Sequence, residues 1–275
     1  MTQHILITGC SSGIGHTVAH ALHQRGYQVI ASCRQAQDVE RLKQEGLLSV
    51  QLDLSDPQSI EAGFSEALAL SNGRLDALFN NGAYGQPGAL EDLPTEALRA
   101  QFESNFFGWH HLVSLALPIM RAQGAGRIVQ NSSVLGFAAM KYRGAYNASK
   151  FALEGWTDTL RLELADTNIH ISLIEPGPIE TQFRANALVA FQRWIKVEES
   201  AHRAHYEQQL ARLGNDTSSN HFVLPASACI APVVHALESD KPKIRYRITT
   251  PTRVLWWLKR LLSSRALDRL LSKAA

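Results

Sequence analysis

The stretch Ile5-Leu6-Ile7-Thr8-Gly9-Cys10-Ser11-Ser12-Gly13-Ile14-Gly15 decides the fold. Three consecutive apolar residues read as a buried strand, the glycines after them as a turn, and the run beyond Gly15 as a helix. Glycine permits positive φ and lets an anion approach the backbone closely. The first N–H groups of the helix and its dipole then hold that anion. The spacing Gly9-x3-Gly13-x-Gly15 is neither the usual G-x-G-x-x-G fingerprint nor the G-x-x-x-x-G-K-[ST] loop. Strand, glycine turn and helix in this order still mark a cradle for a pyrophosphate.

Outward from this stretch, short apolar runs alternate with amphipathic ones. The expected strands cover 3–8, 27–33, 48–52, 75–80, 127–131, 170–175 and 243–247, with helical patterns near 13–25, 36–45, 57–71, 95–122, 145–165 and 225–237. Such alternation builds βαβ units, hence a parallel sheet covered on both faces with its ligand beyond the carboxyl ends of the strands. The rhythm breaks over 176–224, and an insertion of that kind usually closes over a ligand. The expected organisation is one catalytic domain over 1–252, with 176–224 as a substrate loop, followed by a basic amphipathic tail over 253–275.

Composition agrees with a single α/β domain: 275 residues, 45% hydrophobic and 19% charged, with no internal repeat. The net charge of +2 divides into +5 on the tail and −3 on the remainder. Cys10, Cys33 and Cys229 are odd in number, and two of them fall in the expected cofactor loops, which fits a reducing compartment without disulfides. No signal peptide is expected before the first strand, and no stretch reaches the ~20 apolar residues that cross a bilayer. A soluble, cytoplasmic protein without a metal or a nucleic-acid partner is expected.

The chemistry lies in Tyr146-Asn147-Ala148-Ser149-Lys150. Its spacing puts a phenol and an ammonium on one face of a helix. Ser133 stands thirteen residues before the tyrosine. Reducing a carbonyl needs a proton at oxygen as hydride reaches carbon. A phenol of pKa ~10 does this poorly near neutrality unless its anion is stabilised. Lys150, one turn away, favours the phenolate, and Ser133 can hold the carbonyl oxygen.

With the glycine turn, the order Asn105, Ser133, Tyr146, Lys150 resembles the catalytic tetrad of the short-chain dehydrogenases/reductases. The resemblance also covers Asp53-Leu54, Asn80-Asn81-Gly82 and Pro176-Gly177-Pro178-Ile179-Glu180-Thr181, and thus nearly the whole chain. Within the family it is most similar to the 17β-hydroxysteroid and retinol dehydrogenases and to bacterial NADP-dependent aldehyde reductases. It implies a Rossmann-type, doubly wound parallel sheet. It further implies that Lys150 holds the nicotinamide ribose, that Asn105 positions a water in the proton relay and that Asp53 contacts adenine. The implied cofactor contacts are Gly9, Ser11, Ser12, Gly13, Ile14, Gly15, Arg34, Asp53, Leu54, Asn80, Gly82, Tyr146, Lys150, Pro176, Gly177, Ile179 and Thr181. One departure stands out: relatives usually read Asn-Asn-Ala-Gly where this chain reads Asn80-Asn81-Gly82-Ala83.

The second strand ends in Ala31-Ser32-Cys33-Arg34, with no acid for a ribose 2′-hydroxyl and a guanidinium suited to a 2′-phosphate. NADP is therefore expected rather than NAD. Leu135, Phe137, Met140, Tyr142, Phe183, Leu188, Phe191 and Trp194 are expected to line an apolar pocket for an aldehyde or ketone, with Arg184 and Arg193 as available cations. Reversible alcohol oxidation comes with that chemistry. A non-catalytic NADP(H)-binding redox sensor or scaffold is the alternative. In the tail, Ser263-Ser264 separates two short amphipathic helices. They are expected to dock on the chain's own core or on a second subunit of a homo-oligomer. Weak peripheral contact with an anionic membrane is the competing expectation.

Overall fold

In the computed structural model, which describes residues 2–214 and 222–272, the apolar run before the glycine turn forms the interior strand β1 (His4–Thr8). Around it lie β2 (Gln28–Cys33), β3 (Leu48–Gln51), β4 (Ala77–Asn80), β5 (Gly126–Asn131) and β6 (Ile169–Glu175), with a strand at Arg245–Arg247 closing the far edge. The order is β3-β2-β1-β4-β5-β6 and then the edge strand, every neighbour pairing in parallel. Chain direction across the sheet reverses between β1 and β4. A crevice opens beyond the carboxyl ends of strands at such a point.

Strand alternation sends Ile5 and Ile7 to one face and Leu6 to the other. On the first face they meet Val18 and Leu22 of α1 (Gly13–Gln24), Val39 and Leu42 of α2 (Ala36–Gln44), and Val233 and Leu237 of a helix over Ile230–Glu238. On the second, Leu6, Ile30 and Leu78 meet Ile60 and Phe64 of α3 (Pro57–Leu70) and a long helical region beginning at α4 (Thr95–Phe102). Cys10, Cys33 and Cys229 are free and buried, and burial raises all three thiols, which leaves them as small core residues.

The single helix expected over 95–122 is divided. A π-helical segment at Glu103–Phe107 separates α4 from α5 (Gly108–Gln123). A π segment keeps the helical direction, so the apolar period does not disclose it. After α6 (Gly144–Glu163), the 176–224 insertion is not irregular throughout. It holds β7 (Ile179–Glu180) paired with β8 (Leu224–Pro225), α7 (Phe183–Trp194) and α8 (Arg203–Gly214). The helix expected from 225 starts as a 3-10 turn at Ala226–Cys229, then continues as α9 (Ile230–Glu238); the edge strand Arg245–Arg247 is β9.

The C-terminal region forms α10 (Thr250–Leu261), capped by the Thr249 hydroxyl, and α11 (Ser264–Leu271), capped by Ser263. α10 rests on the chain through half-buried Leu255, Trp256 and Leu258, whereas α11 buries no residue. Thr252 is the only buried residue of the pair, while Val254, Trp257 and Leu261 are 49%, 57% and 75% exposed along one face of α10. Among the described residues no helix is long and apolar enough to cross a membrane.

Gly108 starts α5 where a Cβ would lie 2.1 Å from the Leu54 carbonyl oxygen. That obstacle is backbone. Gly108→Ala should therefore destabilise the protein by about 1–3 kcal/mol through forced displacement of α5 from the loop after β3, read as a lower thermal midpoint. An unchanged midpoint would show that the contact can relax.

Candidate active site

The crevice is built around a backbone-to-backbone approach. Gly9 (φ +70) and Gly13 (φ +59) take left-handed conformations. A Cβ on Gly9 would lie 2.4 Å from Gly82 Cα, and one on Gly15 would lie 2.4 Å from the Gly9 carbonyl. Thr8 Oγ1 accepts the Asn81 and Gly82 N–H groups, both at 2.9 Å. Asn81 Nδ2 donates to the carbonyls of Thr8 (2.9 Å) and Gly9 (3.2 Å), while its Oδ1 accepts from Asn131 Nδ2 at 2.8 Å. The ends of β1, β4 and β5 are thereby tied together. Neither Asn81 nor Asn131 was among the expected site residues, although both directly follow or end apolar strand runs.

This lock also accounts for the order Gly82-Ala83. A Cβ at position 82 would meet Leu54 Cδ1 at 2.8 Å and the Gly9 nitrogen at 3.2 Å, so the glycine sits where the turn presses hardest.

The N-terminus of α1 fits an anion. Ser12 makes no side-chain cap, and the first turn carries no acid, so its N–H groups are not satisfied from within. Thr181 lies across the turn, its Cγ2 2.9 Å from where a Gly13 Cβ would be. Ser11 and Ile14 are half-buried on the same turn. Asn80 is buried at the end of β4 with neither amide atom hydrogen-bonded, and Pro176, Gly177 and Ile179 follow the end of β6. Gly177 lies against Thr249 and Thr252, which brings the start of α10 to the segment after β6.

At the end of β2, Cys33 is buried and Arg34 exposed, and among the described residues no hydrogen bond or ion pair engages the Arg34 guanidinium. Asp53 Oδ1 accepts from the Ser55 nitrogen (2.9 Å) and hydroxyl (2.7 Å), which holds this acid in place after β3. Arg41 escaped the sequence reading. Its guanidinium donates to the Ser11 carbonyl at 2.7 Å, bracing the glycine turn from α2.

Tyr146, Lys150 and Ser133 come together as expected, all buried, with the Ser133 hydroxyl facing the phenol. Ser133 follows β5, its backbone extended, and its Oγ accepts from Leu135 N at 3.1 Å. Lys150 Nζ donates to the Asn131 carbonyl at 2.7 Å and lies 4.1 Å from the centre of the Trp109 ring. The electrostatics differ from expectation. Burial pushes the Tyr146 phenol up to about 12, against the downward pull of Ser133. Burial also lowers Lys150 to about 7, against the Glu154 carboxylate, which favours the ammonium. Desolvation of both groups outweighs the attraction that the helical spacing suggests.

Asn105 sits in the π segment, fully buried. Its Nδ2 donates to the Tyr84 carbonyl at 2.8 Å and its Oδ1 accepts from the Tyr84 nitrogen at 3.2 Å. The side chain is thus occupied in fixing the chain after β4. Glu154, one turn beyond Lys150, accepts from Ser132 Oγ at 2.5 Å and from Arg245 Nε at 3.0 Å.

The expected apolar lining is only partly assembled here. Phe183 packs edge-on against Tyr146, ring centres 5.3 Å apart. Phe191 belongs instead to a separate cluster with Ala89, Ile195 and Tyr206, against which Tyr142 also packs. Phe137 faces a cleft of about 400 Å³ beneath α10, lined by charged groups such as Glu154, Glu175, Arg245 and Lys259. These aromatics fill gaps left by α7, α8 and α10, contacts that helical or strand periodicity does not encode.

Residues 3–189 match the family model for short chain dehydrogenase. An uncharacterized oxidoreductase of Escherichia coli, YbbO, is 41% identical over 98% of this chain and 94% of its own length. Human retinol dehydrogenase 8 is 39% identical over 67% of this chain and 61% of its own. Among solved structures, a short-chain dehydrogenase from Streptomyces avermitilis has a TM-score of 0.78 at 27% identity, covering 99% of this chain and 97% of that one. A Burkholderia phymatum short-chain dehydrogenase/reductase in complex with NAD also has a TM-score of 0.78, at 26% identity over 98% and 95%.

Glu154→Gln keeps an acceptor for Ser132 but removes the anion that favours the Lys150 ammonium. Lys150 should then lose its proton at lower pH, and the alkaline limb of the turnover profile should move to lower pH. An unmoved limb would disconnect Glu154 from the proton chemistry.

Proposed function

Because the chain belongs to the short-chain dehydrogenase/reductase family and is an oxidoreductase of that type, we propose that it reduces an apolar aldehyde or ketone with NADPH. The convergence of buried Ser133, Tyr146 and Lys150 beside the glycine cradle carries this reading.

The residues present fit a nicotinamide dinucleotide. The α1 N-terminus and the glycine backbone suit its pyrophosphate, Arg34 its 2′-phosphate, Asp53 its adenine end, and Thr181 with Ile179 the nicotinamide end. When bound in reduced form, it supplies the hydride. Ser133 donates a hydrogen bond to the substrate carbonyl oxygen and fixes its direction. Tyr146 gives its proton to that oxygen as the hydride reaches carbon. Lys150, anchored on the Asn131 carbonyl, holds the ribose and returns a proton to Tyr146. By the family resemblance, Asn105 positions the water through which that proton would arrive. In the reverse direction the same groups accept protons and an alcohol is oxidised.

Phe183 against Tyr146 supports an apolar substrate. The open apolar face of α10 supports assembly with a second copy of the chain. The three reduced thiols support a cytoplasmic location.

Tyr146→Phe should leave NADPH binding intact and reduce turnover by several orders of magnitude, followed by NADPH absorbance with aliphatic, aromatic and steroid carbonyls. Near-normal rates would overturn the assignment, and binding with no turnover of any carbonyl by the wild type would favour a sensor or scaffold.

Arg34→Ala should weaken NADPH far more than NADH. Losing a charge-assisted phosphate contact costs on the order of 1.5–3 kcal/mol, roughly ten- to a hundredfold in affinity. A wild type that prefers NADH under matched conditions would reverse the choice of cofactor.

A further inference from the structure

On the outer side of α1, two histidines converge on one carboxylate. His16 and His20 are four residues apart and therefore share a helical face. Each places Nε2 2.8 Å from the same oxygen, Oε2 of Glu45, which caps the C-terminus of α2. The two imidazole rings lie 4.5 Å apart, tilted by 57°. His16 and His20 are half-buried and Glu45 is exposed, so the three side chains are open to an ion from solvent.

We propose that His16, His20 and Glu45 bind a divalent transition-metal ion of the zinc class. One donor atom from each residue lies within 4.8 Å of the other two. Tetrahedral zinc with donors at ~2.0–2.2 Å sets those atoms roughly 3.3 Å apart, so side-chain rotations suffice. Two imidazoles with one carboxylate form a zinc-type donor set that leaves a fourth position to water. Calcium and magnesium take mostly oxygen ligands, which two imidazoles do not offer. On binding, each ring directs the Nε2 lone pair to the metal and carries its remaining proton on Nδ1.

The other charged group at the cluster is Arg41. Its Nη1 lies 3.4 Å from Glu45 Oε1, and its Nη2 contacts Asp38 Oδ1 at 2.9 Å and the Ser11 carbonyl at 2.7 Å. The guanidinium occupies the oxygen of Glu45 that the histidines do not use. A bound ion would clamp α1 to α2 beside the glycine turn. It would act on the rigidity of the cofactor cradle rather than on the reacting atoms, and the site stands independently of the proposed reaction.

The test is calorimetric titration of chelator-stripped, full-length protein with Zn²⁺, together with its thermal midpoint. One equivalent should bind saturably and raise the midpoint. His20→Ala and Glu45→Gln should each weaken binding by more than about tenfold, since even altering groups that merely orient metal ligands costs that much. Co²⁺ in place of zinc should give the visible bands of a tetrahedral nitrogen–oxygen site, lost in His16→Ala. Glu45→Gln preserves the side-chain shape, so it decides the matter if a histidine variant fails to fold. No saturable binding by the wild type, or undiminished binding by Glu45→Gln, would overturn the proposal.

Discussion

Everything at the functional end of the sheet depends on the contact between Gly9 and Gly82. With Cβ positions on Gly9 and Gly15 obstructed by backbone at 2.4 Å, the turn after β1 lies directly on the segment after β4. Thr8 and Asn81 make the contact permanent by hydrogen-bonding across it, and Asn131 extends the bond network to β5. The same network sets the lysine. Its ammonium is anchored on the Asn131 carbonyl, so the glycine turn and the Tyr146–Lys150 pair share one scaffold of main-chain and asparagine contacts.

The buried charges of the site rest on a second layer. Glu154 links the serine preceding Ser133 to Arg245 on the edge strand, and Arg245 also contacts Asp158 at 2.7 Å and Glu175 at 3.1 Å. Burial raises Glu175 to about 7, an effect that Arg247 and Arg245 oppose. Lys259 of α10 donates to the Phe137 carbonyl, close to the same cleft. Thus the C-terminal helices, which contribute almost nothing to the apolar core, contribute polar contacts to the loop between Ser133 and Tyr146. Their cations are partly engaged inward, while the Trp257 and Leu261 side faces solvent. Arg247 and Arg260 flank the Trp256 ring at 4.0 and 3.6 Å, which further spends positive charge on the protein itself.

Much was legible before any coordinates because it follows from local rules. Period-two and period-3.6 patterns disclosed the main strands and the helices that cover them, glycine spacing disclosed the anion cradle, and the four-residue interval of Tyr146 and Lys150 placed both on one helical face. The resemblance to the short-chain dehydrogenases/reductases, a family confirmed by the model match and the 41% identical relative, supplied what those rules do not: the grouping of Ser133 with Tyr146 and the nicotinamide class of the cofactor.

Tertiary structure alone decided the rest, because it depends on which surfaces meet and how much water they exclude. Desolvation turned the simple Tyr–Lys attraction into two opposed shifts, with the phenol raised and the ammonium weakened. Contact with Leu54 placed glycine at 82 and 108, and the π segment turned Asn105 inward to bind Tyr84. Arg41 and Glu154 entered the site from positions that their sequence neighbours do not mark. A chain encodes each residue's periodicity and chemistry locally, whereas its protonation and its partners are set by the dielectric and the close packing that only the folded assembly creates.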